Sequence, residues 1–213
     1  RTQRLSCRPN PVIPLPHALY APSRVNSRGL DITDMNLMVP LKRGVERFIQ
    51  QYTLSLDEVP QGAVAVLNPA NRNHVVGYHK YDDADSMKDK LKLVSEGFTA
   101  WQQRPVEQRA EILNLVADAL ERHRDELIAL CIAEAGKVTQ DAIDEIREAV
   151  DFCRYYAVEV QRICTDERLL PRGVVLAISP WNFPLAIFLG QVVAELAAGN
   201  TVMAKAAEQT ALI

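Results

Sequence analysis

The 213-residue sequence lacks the marks of a disulfide scaffold, a metal protein or a nucleic-acid binder. Its four cysteines, Cys7, Cys131, Cys153 and Cys164, form no CxxC pair and no regular framework. They read as free thiols of a reducing compartment, the cytoplasm. The histidines at 17, 74, 79 and 123 lack metal-ligand spacing, so no metal site is expected. Charge of one sign is missing too. The 24 Lys+Arg against 27 Asp+Glu leave a net charge of −3, which excludes a strongly basic nucleic-acid binder and an acidic tail. No GxGxxG fingerprint is present, so an ordinary Rossmann first turn is not expected. No signal-peptide layout opens the chain, because Arg1, Arg4 and Arg8 are followed by prolines rather than an apolar run. Without Met at position 1 the chain reads as an internal piece of something longer. What is there, 48% hydrophobic and 24% charged residues, is ordinary for a soluble globular chain and too apolar for disorder.

One long uncharged stretch, Gly173 to Ala194, has the length of a membrane span. Pro180, Asn182 and Pro184 interrupt it where unsatisfied backbone groups in lipid would be most costly. It therefore reads as a strand over 173–178 buried on both faces, a turn, and a buried helix that Pro184 opens and Gly199 closes. Thr201–Ala204 is a second short apolar run. Strand, helix and strand in this order predict a parallel, right-handed βαβ unit.

Before that unit, the segment 1–60 is a Pro-rich arm or linker, with prolines at 9, 11, 14, 16 and 22 and a helix expected over 41–51. Strands are expected at 63–67 and 75–78 around the turn residues Asn68, Pro69, Ala70 and Asn71. Four helices follow. The first carries Ala84, Met87, Leu91, Val94, Phe98 and Trp101 at spacings of three and four. The second opens at Pro105, and the third, 124–135, stops at a left-handed Gly136. The fourth is expected to be capped by Thr139, with a stripe of Ile143, Ile146, Val150, Cys153, Ala157 and Val160. Cys131 and Cys153 fall on apolar stripes and read as inert thiols.

In open α/β sheets, ligands bind beyond the carboxyl ends of the strands. Two places qualify: Ser179–Phe183 and Lys205–Glu208. Asn182 is a neutral donor that could hold a developing oxyanion. The other reading is a turn former between prolines, and composition alone favours it. Lys205 and Glu208 could bracket a ribose or simply pair on the surface, and the surface pair is the commoner case.

Ile178-Ser179-Pro180-Trp181-Asn182-Phe183-Pro184, then Ala197-Ala198-Gly199-Asn200-Thr201-Val202 and Ala204-Lys205 with Glu208, resembles the aldehyde dehydrogenase superfamily. Pro14-Leu15-Pro16, Leu19-Tyr20, Arg24, Asn26-Ser27, Gly29 and Asp31 resemble its proline utilisation A members more closely. So do Glu134-Ala135-Gly136-Lys137, Arg147-Glu148-Ala149-Val150-Asp151-Phe152 and Glu208-Gln209-Thr210. The resemblance implies an α/β fold: the amino-terminal part of an aldehyde dehydrogenase domain over 61–213, incomplete in this chain. It comprises helices plus the first βαβ unit of a Rossmann-like NAD-binding layer.

The activity implied is NAD-dependent oxidation of L-glutamate-γ-semialdehyde, the open form of pyrroline-5-carboxylate, to glutamate in proline catabolism. In such enzymes a cysteine thiolate attacks the aldehyde, hydride passes to NAD, and a glutamate-activated water cleaves the thioester. By the same resemblance Asn182 is the oxyanion donor. Ile178, Ser179, Pro180 and Trp181 line the cofactor, and Lys205 and Glu208 hold the adenine ribose. A carboxylate there accepts from a 2′-hydroxyl and repels a 2′-phosphate, hence NAD. Glu148 and Phe183 belong to the aldehyde entrance, and a solvated helix carboxylate is the equal alternative for Glu148.

The family's catalytic cysteine and general base belong downstream of Glu208, so the isolated chain is expected to be inactive. A non-catalytic fragment or interaction module, and a dehydrogenase for another semialdehyde, are the rival readings. FAD is expected only on a separate proline dehydrogenase domain upstream. No nucleic-acid partner and no transmembrane segment are expected, and oligomerisation stays open. Ala206 replaces the family's usual proline, which predicts a less restrained loop. Gln191 and Glu195, four apart, are expected to share a polar helix edge.

Overall fold

The computed structural model describes residues 10–51, 54, 59–164 and 169–213. Cys7 and Pro9 lie outside them. Helix α1 (Met35–Gln51) starts well before Leu41, because Asp34 accepts the Asn36 amide at 2.9 Å and caps the chain there. Pro40 is tolerated within the helix. Leu41 and Val45 of α1 are buried in the main core beside α4 (Arg124–Ala135).

Strands β1 (Val64–Asn68) and β2 (Asn71–His79) form an antiparallel hairpin. The side chain of Asn68 closes its turn by accepting the Ala70 amide at 2.9 Å. Helix α2 (Ala84–Gln102) is capped by Asp83, which accepts from Asp85 and Ser86. Helices α3 (Val106–Arg122) and α5 (Thr139–Ile163) make the most extensive helix contact. Gly136, with φ of 67°, ends α4 in the left-handed region as its sequence position predicts. Thr139 does not cap α5. It is the first helical residue, Val138 holds the cap position, and no side chain bonds there.

The core is built from α1, α3, α4, α5 and α6 (Ala186–Ala197). Ile128, Cys131, Ile143, Ile146, Val150 and Cys153 are fully buried in it, each large aliphatic contributing about 1.5–3 kcal/mol. The arm is tied to α5 by polar contacts. Asp151 accepts from the Ser27 amide and hydroxyl, both at 2.8 Å. Arg154 donates to the Asn26 carbonyl at 3.2 Å and pairs with Asp118 at 3.1 Å.

Strands β3 (Val174–Ile178) and β4 (Thr201–Lys205) pair in parallel on either side of α6, giving the expected βαβ unit. Two expectations for it fail. The helix starts at Ala186 rather than Pro184. Strand β3 is not buried on both faces: Leu176 is 59% and Ile178 58% exposed, because no described element covers that face.

The far end of α6 is held firmly. Trp101 Nε1 and Arg109 Nε donate to the Leu196 and Ala197 carbonyls at 3.0 and 2.9 Å, and the arginine charge suits a helix carboxyl terminus. Asn200 accepts the Arg172 and Gly173 amides at 2.6 and 3.1 Å. It donates to Glu195 at 2.7 Å, so Glu195, which borders the same cavity as Gln191 along α6, also anchors the start of β4. Among the described residues, no helix is long and apolar enough to cross a membrane.

Candidate functional site

The parallel register brings Ile178 and Lys205 side by side at the carboxyl ends of β3 and β4. Just beyond, buried Ser179 donates from its amide and its hydroxyl to the Lys205 carbonyl, both at 3.2 Å. The two strand ends are thus locked, while the Lys205 side chain stays exposed and donates to the Ala206 carbonyl at 3.2 Å. Glu208 starts a short 3₁₀ turn, Glu208–Thr210, and is exposed. No ion pair joins Lys205 and Glu208 among the described residues. Their heads are therefore not consumed by one another.

Between β3 and α6 the chain passes through Pro180, Trp181, Asn182, Phe183 and Pro184. Trp181, Asn182 and Phe183 are exposed. Asn182 thus lies at an accessible position between two buried residues, Ser179 and Pro184. Trp181 borders a cavity of about 600 Å³ shared with Leu67, Arg72, Glu134 and Thr210.

Beneath the turn lies a charged cluster of Lys137, from the Glu134–Lys137 motif, and Glu145, to which the motifs assign no role. Lys137 Nζ is 2.9 Å from Glu145 Oε1, with side-chain exposures of 13% and 1%. The Lys137 ammonium also sits 4.9 Å from the Phe183 ring centre. Glu148, one turn further along α5, is exposed. Partial burial of its carboxyl raises its pKa, the Glu145 charge raises it further, and Lys137 opposes both. Glu145 had a legible signal: a carboxylate at the buried spacing of Ala142 and Ala149. Glu134 had none. Its two oxygens accept the Leu212 and Ile213 amides, both at 2.9 Å, and pin the segment after β4.

Neither Cys131 nor Cys153 is in a state to react. Cys131 and Cys153 are buried and their thiol pKa values are pushed up to about 12, chiefly by burial.

A parallel strand pair with locked carboxyl ends, exposed polar heads beyond them and a proline-flanked turn leading into the crossover helix is the arrangement at which open α/β sheets place their ligands. The chain belongs to the aldehyde dehydrogenase family, whose model matches residues 57–213. It is 41% identical over 210 residues to the bifunctional protein PutA of Escherichia coli strain K12, a match covering 96% of this chain and 16% of that protein. It is 35% identical over 162 residues to 1-pyrroline-5-carboxylate dehydrogenase of Geobacillus sp. strain WCH70, covering 70% of this chain and 32% of that one. The solved structure of 1-pyrroline-5-carboxylate dehydrogenase from Thermus with bound NAD matches with a TM-score of 0.78 at 27% identity. That match covers 87% of this chain and 40% of the other. The chain thus spans well under half the length of each of these relatives.

Proposed function

We propose that this chain is the amino-terminal part of the aldehyde-oxidising unit of a cytoplasmic, proline-catabolising enzyme. That unit oxidises L-glutamate-γ-semialdehyde to glutamate with NAD. The observation that carries this reading is the PutA identity, which runs through the arm as well as the βαβ unit. The bifunctional relatives support a fused proline dehydrogenase domain; under the same proposal FAD sits on that domain and residues 1–60 are the linker to it.

The residues present fit a dinucleotide. Ile178, Ser179, Pro180 and Trp181 offer backbone and wall at the strand end. The Lys205 ammonium donates to ribose hydroxyls and the Glu208 carboxylate accepts from them. That carboxylate repels a 2′-phosphate and so favours NAD over NADP. NAD supplies the hydride acceptor. The Asn182 amide donates to the oxygen that gains charge when the aldehyde is attacked. Glu148 and Phe183 border the aldehyde entrance. The attacking thiolate and the general base are assigned, by the family resemblance, to segments other than these; Cys131 and Cys153, buried and with raised thiol pKa values, do not suit the nucleophile's role.

In the complete enzyme, Asn182→Ala should lower kcat by about 10²–10³, or about 2.7–4 kcal/mol of transition-state stabilisation. The dissociation constant for NAD should stay within twofold. Wild-type turnover in that variant would overturn the oxyanion role. Faster oxidation of succinate semialdehyde than of glutamate semialdehyde would overturn the substrate.

A further inference from the structure

The turn that carries Asn182 has little support of its own. Trp181, Asn182 and Phe183 are exposed, so the turn is held at its two ends. On the strand side, Ser179 bonds to Lys205. On the helix side, Leu185 stands at the cap position of α6 and gives no side-chain bond. The first amides of α6 are instead met from another helix. Leu185 N and Ala186 N donate to Glu145 Oε2 on α5, at 3.3 and 2.8 Å. A carboxylate at a helix amino terminus satisfies orphan donors and complements the dipole.

The second oxygen of Glu145 has no aligned hydrogen-bond donor among the described residues. Its compensation is the Lys137 ammonium at 2.9 Å. A carboxylate this buried is tolerated only when charge and hydrogen bonds both answer it. The same ammonium faces the Phe183 ring at 4.9 Å. Phe183 is the chain neighbour of Asn182. One buried ion pair therefore touches the turn twice, at the ring beside Asn182 and at the helix start just after it.

We propose that Lys137 and Glu145 act together as positioning residues: Glu145 anchors the start of α6, Lys137 holds the Phe183 ring, and the pair fixes where Asn182 presents its amide. This rests on the reading that Asn182 meets the reacting oxygen. The pair itself touches neither substrate nor cofactor. Its removal should act through Asn182 and leave the nucleotide grip at Ile178, Lys205 and Glu208 alone.

The test uses the complete enzyme, with Lys137→Met and Glu145→Gln made separately in the wild-type and Asn182→Ala backgrounds. Glutamine keeps an acceptor for the α6 amides while removing the charge. Each single change should lower kcat tenfold or more, with NAD affinity within twofold. In the Asn182→Ala background each should add less than a twofold loss, because residues acting through one group are not additive. Lys137→Arg, which keeps the charge, should recover part of kcat and serves if the methionine variant does not fold. A fluorine label at position 183, introduced as 4-fluorophenylalanine, should give a resonance that shifts or splits in Lys137→Met. Unchanged kcat in the single variants, a full multiplicative loss in the Asn182→Ala background, or an unmoved resonance would each overturn the proposal. If the wild-type enzyme oxidises no aldehyde, the functional reading fails by itself and the fluorine resonance decides the positioning role.

Discussion

Gly190 of α6 lies so close to Phe152 of α5 that a Cβ added to the glycine would stand 2.8 Å from the ring Cδ2. Real carbon contacts do not close to that distance, so the two helices meet at a separation that only glycine permits. Glycine inside a helix ordinarily costs about 1 kcal/mol relative to alanine. Here the sign reverses. Gly190→Ala should destabilise the protein by about 1–3 kcal/mol through overpacking. Urea denaturation of the complete enzyme measures it, and a more stable alanine variant would contradict the packing.

Asp151 holds the arm through the amide and the hydroxyl of Ser27. Asp151→Ala removes both bonds and the nearby Arg24 pairing at 4.0 Å. Ser27→Ala removes only the hydroxyl bond, a loss of about 1 kcal/mol. Limited proteolysis should therefore cut the arm fastest in Asp151→Ala and at an intermediate rate in Ser27→Ala. Equal rates in all three proteins would show that the arm is held elsewhere.

Burial pushes the thiols of Cys131 and Cys153 up to about 12. At pH 8 both should resist iodoacetamide in the folded protein and become labelled in urea, as peptide mass spectrometry reads out. Cys164, only partly buried, should be modified earlier. Rapid labelling of Cys131 or Cys153 in the folded state would refute their assignment as core thiols.

The pKa of Glu148 is raised, first by burial and then by Glu145, with Lys137 opposing. A carboxyl whose folded value lies above its unfolded one favours folding at low pH, and that contribution is lost as pH rises through the folded value. Glu148→Gln removes the ionisation. The variant should match the wild type in stability near pH 4 and exceed it near pH 7. Thermal melting across that range checks the trend, and a variant less stable at pH 7 than at pH 4, relative to wild type, would reverse the sign.

Much of the organisation was legible in local chemistry. Gly136 adopts the left-handed stop its position predicts, and the hairpin turn is closed by Asn68. The two prolines inside the uncharged stretch separate β3 from α6 as expected, since proline cannot continue either element's hydrogen bonds. Boundaries were read less well. Asp34 began α1 early through a side-chain bond that apolar spacing does not register. Thr139 lay one position inside its helix.

The sequence by itself determined the order of elements, the parallel βαβ unit and the signature residues Ile178–Pro184, because these depend on turn formers and apolar period within short windows. Only the tertiary structure decided what surrounds them. It joined Lys137 and Glu145 to a turn some 40 residues further on, set Ile178 beside Lys205, and left Asn182 and one face of β3 open to solvent. Contacts between distant segments follow from helix packing and strand register, and no local pattern encodes which buried charge meets which backbone amide.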